Sequence, residues 1–155
     1  MDLPYTRIKG GICAAREFLG SATSCGIKDP KSKRLDLSLI YSKRECLSVG
    51  MFTQNRVKAA PVRVSQSHLR AESLRAIITN SGNANACTGP TGMQDAKNMA
   101  KETSKLLGLR QREVGVCSTG VIGLPMPMIR IEPKYEDLVT RLGPKNGNDV
   151  ARSII

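Results

Sequence analysis

The order of element types between Arg75 and Gly120 constrains the fold of this chain more than any other feature. A short apolar run, Ala76-Ile77-Ile78, precedes an Asn-rich loop, a long amphipathic pattern and a second apolar run that begins at Val114. Strand, helix and strand in that order are typical of a βαβ unit, whose two strands pair in parallel. The pattern therefore predicts an α/β fold.

The helix of this unit has recognisable ends. Thr91 and Gln94 have the spacing of a capping box, so we predict that the helix begins there, and Gly108 is the expected C-terminal cap. Its buried face is predicted from apolar and small residues three or four positions apart, namely Met93, Ala96, Ala100, Thr103 and Leu107. Its solvated face is interpreted as the lysine row, Lys97, Lys101 and Lys105.

The second strand of the unit runs into Ser118-Thr119-Gly120, where hydroxyls and a glycine N–H arrive together. Glycine lets the backbone approach closely, so a side-chain O–H and a backbone N–H can converge on one point, as they do in an oxyanion hole. Thr119 and Gly120 are therefore the candidate catalytic residues. A simple strand ending in a tight turn is the alternative that these residues leave open.

The loop from Asn80 to Gly89 follows the first strand of the unit directly. Its density of Asn, Gly and Ser predicts an irregular backbone with many side-chain to backbone hydrogen bonds. Open α/β sheets bind ligands at the carboxyl ends of their strands, so the loop is a candidate active-site wall. A purely structural network of Asx turns is the second interpretation, and both stay open.

The first half of the chain carries further strand patterns. Leu35 to Tyr41 alternates in polarity and predicts a strand with one buried face. Cys46 to Phe52 is another apolar run, which indicates a hairpin or a neighbouring strand. The small residues from Gly10 to Gly26 favour extended segments, with a helix over Cys13 to Leu19 as the alternative.

The next segment has weaker signals. A residue before proline favours extended backbone, so Ala60 is expected to be extended, and Val62 and Val64 indicate a short strand. Ser65 to Ser73 is interpreted as a short helix or loop. His68 within it is expected to be a solvated surface residue rather than a catalytic base.

The charge of the chain suggests an anionic partner. Lys and Arg number 24 against 13 Asp and Glu, a formal net charge of +11, and the basic run from Lys28 to Arg34 is expected to be an exposed loop. Aromatic residues are only 3% of the chain, there is no Trp, and no nucleic-acid motif occurs. We therefore expect no nucleic acid as the main partner.

Cysteine usage bears on metal binding and location. The five cysteines are scattered without a C-x-x-C pair and there is one histidine, so no metal site is expected. The pattern indicates reduced thiols, most of them in the core, in a cytoplasmic protein. No run approaches the ~20 apolar residues of a membrane span, and none suits a signal peptide, so no membrane association is expected.

Three motifs in register resemble one known family. They are Phe52 to Pro61 (FTQNRVKAAP), Asn80 to Gly89 (NSGNANACTG) and Cys117 to Gly123 (CSTGVIG). Together they resemble the bifunctional ornithine acetyltransferase and N-acetylglutamate synthase family of arginine biosynthesis. The resemblance runs from about Gly10 to the last residue.

The resemblance implies a self-cleaving, N-terminal-nucleophile-like acyltransferase fold with mixed sheets and flanking helices. In that family a threonine at the start of a second, beta chain takes acetyl from N-acetylornithine and passes it to glutamate, and some members also use acetyl-CoA. Thr119 and Gly120 would form the oxyanion hole, with no cofactor or metal. The implied assembly has two alpha and two beta chains. Ser118 and Cys117 lack an adjacent base and have no such role in the family.

The last part of the chain carries two helical patterns, Pro133 to Leu142 and an apolar face from Val150 to Ile155. No counterpart of the family's nucleophilic threonine follows, so residues 1–155 are expected to be a single domain, the N-terminal part of the alpha chain, inactive by itself. Other classes stay open: a self-processing aminopeptidase or amidase of related fold, a basic nucleic-acid-binding domain, and a non-catalytic subunit.

Overall fold

A mixed sheet of four strands organises the fold in the computed structural model, which describes residues 5–6, 8–71 and 73–155. The strands are β1 (Phe18–Thr23), β2 (Leu37–Ser42), β3 (Ala76–Asn80) and β4 (Val114–Ser118), and they lie side by side in that order. β2 is antiparallel to both β1 and β3, whereas β3 and β4 are parallel. The predicted βαβ unit and the α/β class are confirmed.

The helices flank this sheet. They are α1 (Ala60–Ala71), α2 (Gly89–Leu107), α3 (Met128–Ile131), α4 (Tyr135–Thr140) and α5 (Gly147–Arg152). Short 3-10 turns occur at Gly11–Ala14, Gln111–Glu113 and Glu132–Lys134. The helical pattern from Pro133 to Leu142 is confirmed by the 3-10 turn and α4, whereas the pattern from Val150 to Ile155 is helical only as far as Arg152, and Ile154 and Ile155 are exposed. The helix considered for Cys13 to Leu19 is replaced by a 3-10 turn followed by β1.

The core lies on one face of the sheet, against α1 to α4. The large apolar strand residues that are almost fully buried on that face are Leu37, Leu39, Ile78, Val114 and Val116. Helix residues complete the cluster, among them Val64, Ala96, Met99, Ala100, Ile131 and Leu138. The alternation that predicted β2 therefore reflects real burial of its Leu37 and Leu39 side chains.

Helix α2 follows its predicted periodicity but begins earlier than expected. The helix starts at Gly89, so the predicted start at a capping box of Thr91 and Gln94 is wrong. The earlier start accommodates Pro90, because N–H groups in the first turn of a helix have no carbonyl partner within the helix. Ala96, Ala100 and Thr103 are buried and the three lysines are exposed, as predicted. Gly108 ends the helix with a φ of 65°, which confirms it as the C-terminal cap.

Helix α1 corrects three predictions. Ala60 is its first residue rather than extended, and Val62 and Val64 are helical rather than a strand. The alternation of Val62 and Val64 is too short to outweigh the tertiary contacts of the helix, which buries Val64 and Ser65 against the sheet. His68 is only 8% exposed, not solvated, and its Nδ1 lies 2.8 Å from the Val114 carbonyl oxygen.

The apolar run from Cys46 to Phe52 does not form the predicted strand. Both edges of β2 are occupied by β1 and β3, so β2 offers no place for a hairpin partner. The expectation that most cysteines are in the core holds only for Cys13, because Cys25 and Cys46 are half-buried and Cys87 and Cys117 are exposed.

Residues 5–6, 8–71 and 73–155 lack two kinds of feature. No helix there is long and apolar enough to cross a membrane. The same residues contain no group of three or more His, Cys, Asp or Glu side chains that could hold a metal ion.

Candidate active site

Parallel pairing brings the carboxyl ends of β3 and β4 to one edge of the sheet. Asn80 at the end of β3 is the register partner of Ser118 at the end of β4. The segments that follow them therefore leave the sheet together, Ser81-Gly82 on one side and Thr119-Gly120 on the other. This is the edge where α/β sheets place their ligands.

Asn80 joins the two strand ends. It is fully buried, and its carbonyl oxygen accepts the Thr119 N–H at 3.0 Å. Its Oδ1 accepts the Ser118 hydroxyl at 2.6 Å, and its Nδ2 donates to the Asn83 carbonyl at 2.8 Å. One residue thus fixes the backbone on both sides of the candidate site.

The other asparagines anchor the loop to its surroundings. Asn83 Oδ1 accepts the Asn85 N–H at 2.8 Å, and Asn83 Nδ2 donates to the carbonyls of Leu124 and Pro125 at 3.2 and 3.1 Å. Asn85 Nδ2 donates to the carbonyl of Gly92 in α2 at 2.8 Å. These buried side chains are structural, as the Asx interpretation predicted, because their hydrogen-bonding groups are bound within the protein.

Gly120 sits against the loop after β3. Its φ is 135°, and a Cβ built on it would lie 2.3 Å from the carbonyl carbon of Gly82 and 2.5 Å from the N of Asn83. The Val121 N–H donates to the Gly82 carbonyl at 3.3 Å and holds the two segments together. Only glycine fits this close approach without moving the backbone.

A cavity of about 440 Å³ opens beside this contact. Thr119 and Gly120 both line it and both are exposed, together with Ser81 and Gly82 from the opposite segment. Within the part of the chain that the structure describes, neither the Thr119 hydroxyl nor the Gly120 N–H donates a hydrogen bond. Two donors at one cavity are therefore available to a ligand.

The facing wall of the cavity is the loop between β1 and β2. Buried Asp36 holds it, because its carboxylate accepts the N–H groups of Cys25 and Ile27, each at 2.6 Å. Asp36 also accepts the Ser81 N–H on its carbonyl oxygen at 2.9 Å, which connects the two walls. Sequence reasoning missed this anchor, since a single aspartate before a strand carries no distinctive pattern.

Charges on the cavity wall nearly balance. Lys28 and Arg34 face the same cavity as Asp29 and Asp36. The large positive net charge of the chain is therefore not concentrated at this site. Neutral hydrogen-bond donors, rather than a cationic field, distinguish it.

The alternative nucleophiles lack a base. The Ser118 hydroxyl donates to Asn80, and the only histidine of the chain, His68, contacts Val114 at the opposite end of β4. Since the Val114 carbonyl only accepts, His68 Nδ1 is the donor in this contact. Neither Ser118 nor Cys117 has a histidine beside it.

The mixed sheet, the parallel-strand edge and the donor pair define an α/β protein with a candidate ligand site at a βαβ edge. Residues 20–155 match the model of the ArgJ family, and the chain belongs to that family. It is 39% identical over 148 residues to the arginine biosynthesis bifunctional protein ArgJ of Symbiobacterium thermophilum, covering 96% of this chain and 37% of the relative. The corresponding protein of Caldanaerobacter subterraneus is 43% identical over 148 residues, covering 96% and 36%.

Two crystal structures share the fold. Ornithine acetyltransferase from Mycobacterium tuberculosis, complexed with ornithine, superimposes with a TM-score of 0.88 at 37% identity, covering 94% of this chain and 78% of that one. ArgJ from Bacillus halodurans gives 0.86 at 33% identity, covering 94% and 75%. The fold expected from the motif resemblance, with a mixed sheet and flanking helices, is confirmed. The chain spans a little over a third of the curated relatives it matches, 37% and 36% for the two above.

Proposed function

We propose that this chain is the N-terminal part of the alpha chain of a glutamate N-acetyltransferase that moves acetyl from N-acetylornithine to glutamate in arginine biosynthesis. The observation that carries the proposal is the pair of unbonded donors, the Thr119 hydroxyl and the Gly120 N–H, at one cavity. Membership of the ArgJ family supports acyl transfer over a self-processing amidase or a nucleic-acid-binding domain.

In the proposed reaction a threonine hydroxyl of the second chain attacks the acetyl carbonyl of N-acetylornithine and loses its proton to a base. The new C–O bond turns the carbonyl oxygen into an oxyanion, which Thr119 and Gly120 stabilise by two hydrogen bonds. Collapse breaks the C–N bond, and ornithine leaves with a proton on its amine. The glutamate amine then attacks the acetyl ester through a second oxyanion. Collapse breaks the C–O bond, and the proton that the amine loses passes by way of the base to the threonine oxygen, which restores the hydroxyl.

The remaining features of the proposal follow the same resemblance. Residues 1–155 belong to a single domain, and the beta chain arises by self-cleavage in a cytoplasmic assembly of two alpha and two beta chains. Acetyl-CoA is a second acetyl donor in some members of the family, and no metal or cofactor takes part in the proposed chemistry.

The test uses the full-length protein and N-acetylornithine labelled in its acetyl group. Without glutamate, we expect label on a single peptide of the protein and one equivalent of free ornithine. Adding glutamate should move the label to N-acetylglutamate. Hydrolysis to free acetate without transfer to glutamate would instead indicate an amidase.

A further inference from the structure

The segment Cys46–Phe52 has two different sides. Cys46 and Ser48 point their side chains at the Leu74 carbonyl oxygen, with Sγ and Oγ at 3.3 and 2.9 Å. The residues between and after them, Leu47, Val49 and Met51, are 97%, 95% and 98% exposed. Side chains that point alternately inward and outward are typical of an extended chain. In this segment the outward side chains form an apolar row in solvent.

The backbone of this segment is also unpaired. Between Cys46 and Phe52, no N–H or C=O forms a backbone hydrogen bond with another residue of the described chain. Such groups in an apolar, uncharged stretch are a template for a partner strand. The segment contains no charged residue that would oppose pairing.

Each outer edge strand of the sheet is hydrogen-bonded on its free side at one residue. Gly143 exchanges two hydrogen bonds with Gly20 of β1, both 3.0 Å. At β4, the Ser65 hydroxyl accepts the Val116 N–H and donates to the Val116 carbonyl, at 2.8 and 2.7 Å. Cys46–Phe52, by contrast, has no backbone hydrogen bond at any residue within the described chain.

An apolar groove of about 390 Å³ runs beside the segment. It separates the segment from the face of the sheet opposite the core, where Phe18, Ile40 and Ile77 are only half-buried. Side chains of an added strand have a place to enter there. Gly50 faces the body of the protein, since a Cβ on it would lie 2.7 Å from Leu69 Cδ2.

We infer that Cys46–Phe52 is a docking strand that pairs with an apolar-faced strand from the part of the full-length protein outside these 155 residues. This inference rests on one part of the proposed function, namely that these 155 residues belong to a longer protein. Relatives carry almost two-thirds of their length outside the matched region, since the chain covers 37% and 36% of them. A second copy is disfavoured, because two chains of formal charge +11 repel each other.

Hydrogen exchange on the full-length protein tests the pairing directly. A strand paired along one edge bonds every second N–H, so alternate amides within 47–52 should exchange at least about 100-fold more slowly than the Lys33 amide of the exposed loop, which forms no hydrogen bond within the described residues. Exchange as fast as in that loop overturns the inference. Protection that disappears on dilution, as the protein separates into single copies, overturns it in favour of a second copy as the partner.

A matched pair of variants adds the side-chain evidence. Val49→Lys in the full-length protein should raise exchange at 47–52 at least about tenfold, because a buried charge opposes docking. Val57→Lys changes another apolar residue, 66% exposed and outside the segment, and should leave exchange unchanged. Equal effects of both variants overturn the inference, and if Val49→Lys does not fold, Val49→Thr is measured in its place.

This experiment separates the two proposals. If amides at 47–52 are protected but the protein does not transfer acetyl to glutamate, the docking strand is supported and the proposed function is overturned. If the protein transfers acetyl while these amides exchange freely, the proposed function is supported and the docking strand is overturned.

Discussion

Gly120 approaches Gly82 so closely that a Cβ on Gly120 would lie 2.3 Å from the Gly82 carbonyl carbon. The contact joins the segment after β4 to the loop after β3 and places the Gly120 N–H at the cavity. Because the obstacle is backbone, it cannot move aside as a side-chain tip would. The identity of residue 120 is thus fixed by geometry as well as by its proposed chemistry.

Gly120→Ala should therefore destabilise the full-length protein and abolish acetyl transfer. We expect a loss of about 2 kcal/mol or more, from strain at positive φ plus the backbone clash. Gly123→Ala is the matched control, because Gly123 also has a positive φ, 83°, but nothing lies within 4 Å of its Cβ position. Denaturant unfolding of both variants measures the difference, and equal losses would show that the contact with Gly82 is unimportant.

Thr119→Ala should slow acetyl transfer by about two to three orders of magnitude, the usual loss of one oxyanion donor. Its fold should persist, because the Thr119 N–H keeps its bond to the Asn80 carbonyl. Thr119→Ser retains the hydroxyl and should stay within about tenfold of the wild-type kcat/KM. If Thr119→Ala stays within a few-fold of wild type, the residue is structural.

The 155-residue polypeptide alone should show no turnover of N-acetylornithine with glutamate. The proposed nucleophile is a threonine of the second chain, and within this chain Ser118 has no adjacent base. A coupled assay for N-acetylglutamate, with the full-length protein as positive control, measures this. Turnover by the short polypeptide would place the nucleophile within residues 1–155.

The contribution of Glu113 to stability should depend on pH. Burial favours its neutral form, but the hydrogen bonds from the backbone and side chain of Arg110 prevail and lower the pKa of Glu113 below its usual 4.5. A lowered folded-state pKa gives stability that is present above pH ~4.5 and is lost as the pH falls through the folded value. Glu113→Gln should thus cost about 1 kcal/mol at pH 7 and progressively less in acid. Urea unfolding at several pH values measures this, and a cost that does not shrink in acid would contradict it.

The unit from β3 to β4 was predictable because its signals are local. Residues three or four apart in α2 share a face, so the pattern of Ala96 and Ala100 marks burial without knowledge of the partner. The Thr119-Gly120 motif was likewise visible in the sequence. Its approach to Gly82 was not, because that contact depends on the register between two strands.

The errors arose where distant contacts decide the local structure. Helix α1 buries Ser65 by bonding it to Val116, which lies 51 positions away in the sequence. The short alternation of Val62 and Val64 gives no indication of that hydrogen bond. The Cys46–Phe52 run has the alternation of a strand, yet without a neighbour its backbone has no ladder to join.

The same three hydrogen bonds of Asn80 hold the ends of the two strands together and fix the backbone that carries Thr119 and Gly120. Fraying of the carboxyl ends of β3 and β4 would release Thr119 and Gly120 while the helices remain folded. Heat inactivation should then begin below the temperature at which the helical circular-dichroism signal is lost. The loss of activity would report the opening of two strand ends and not the unfolding of the whole molecule.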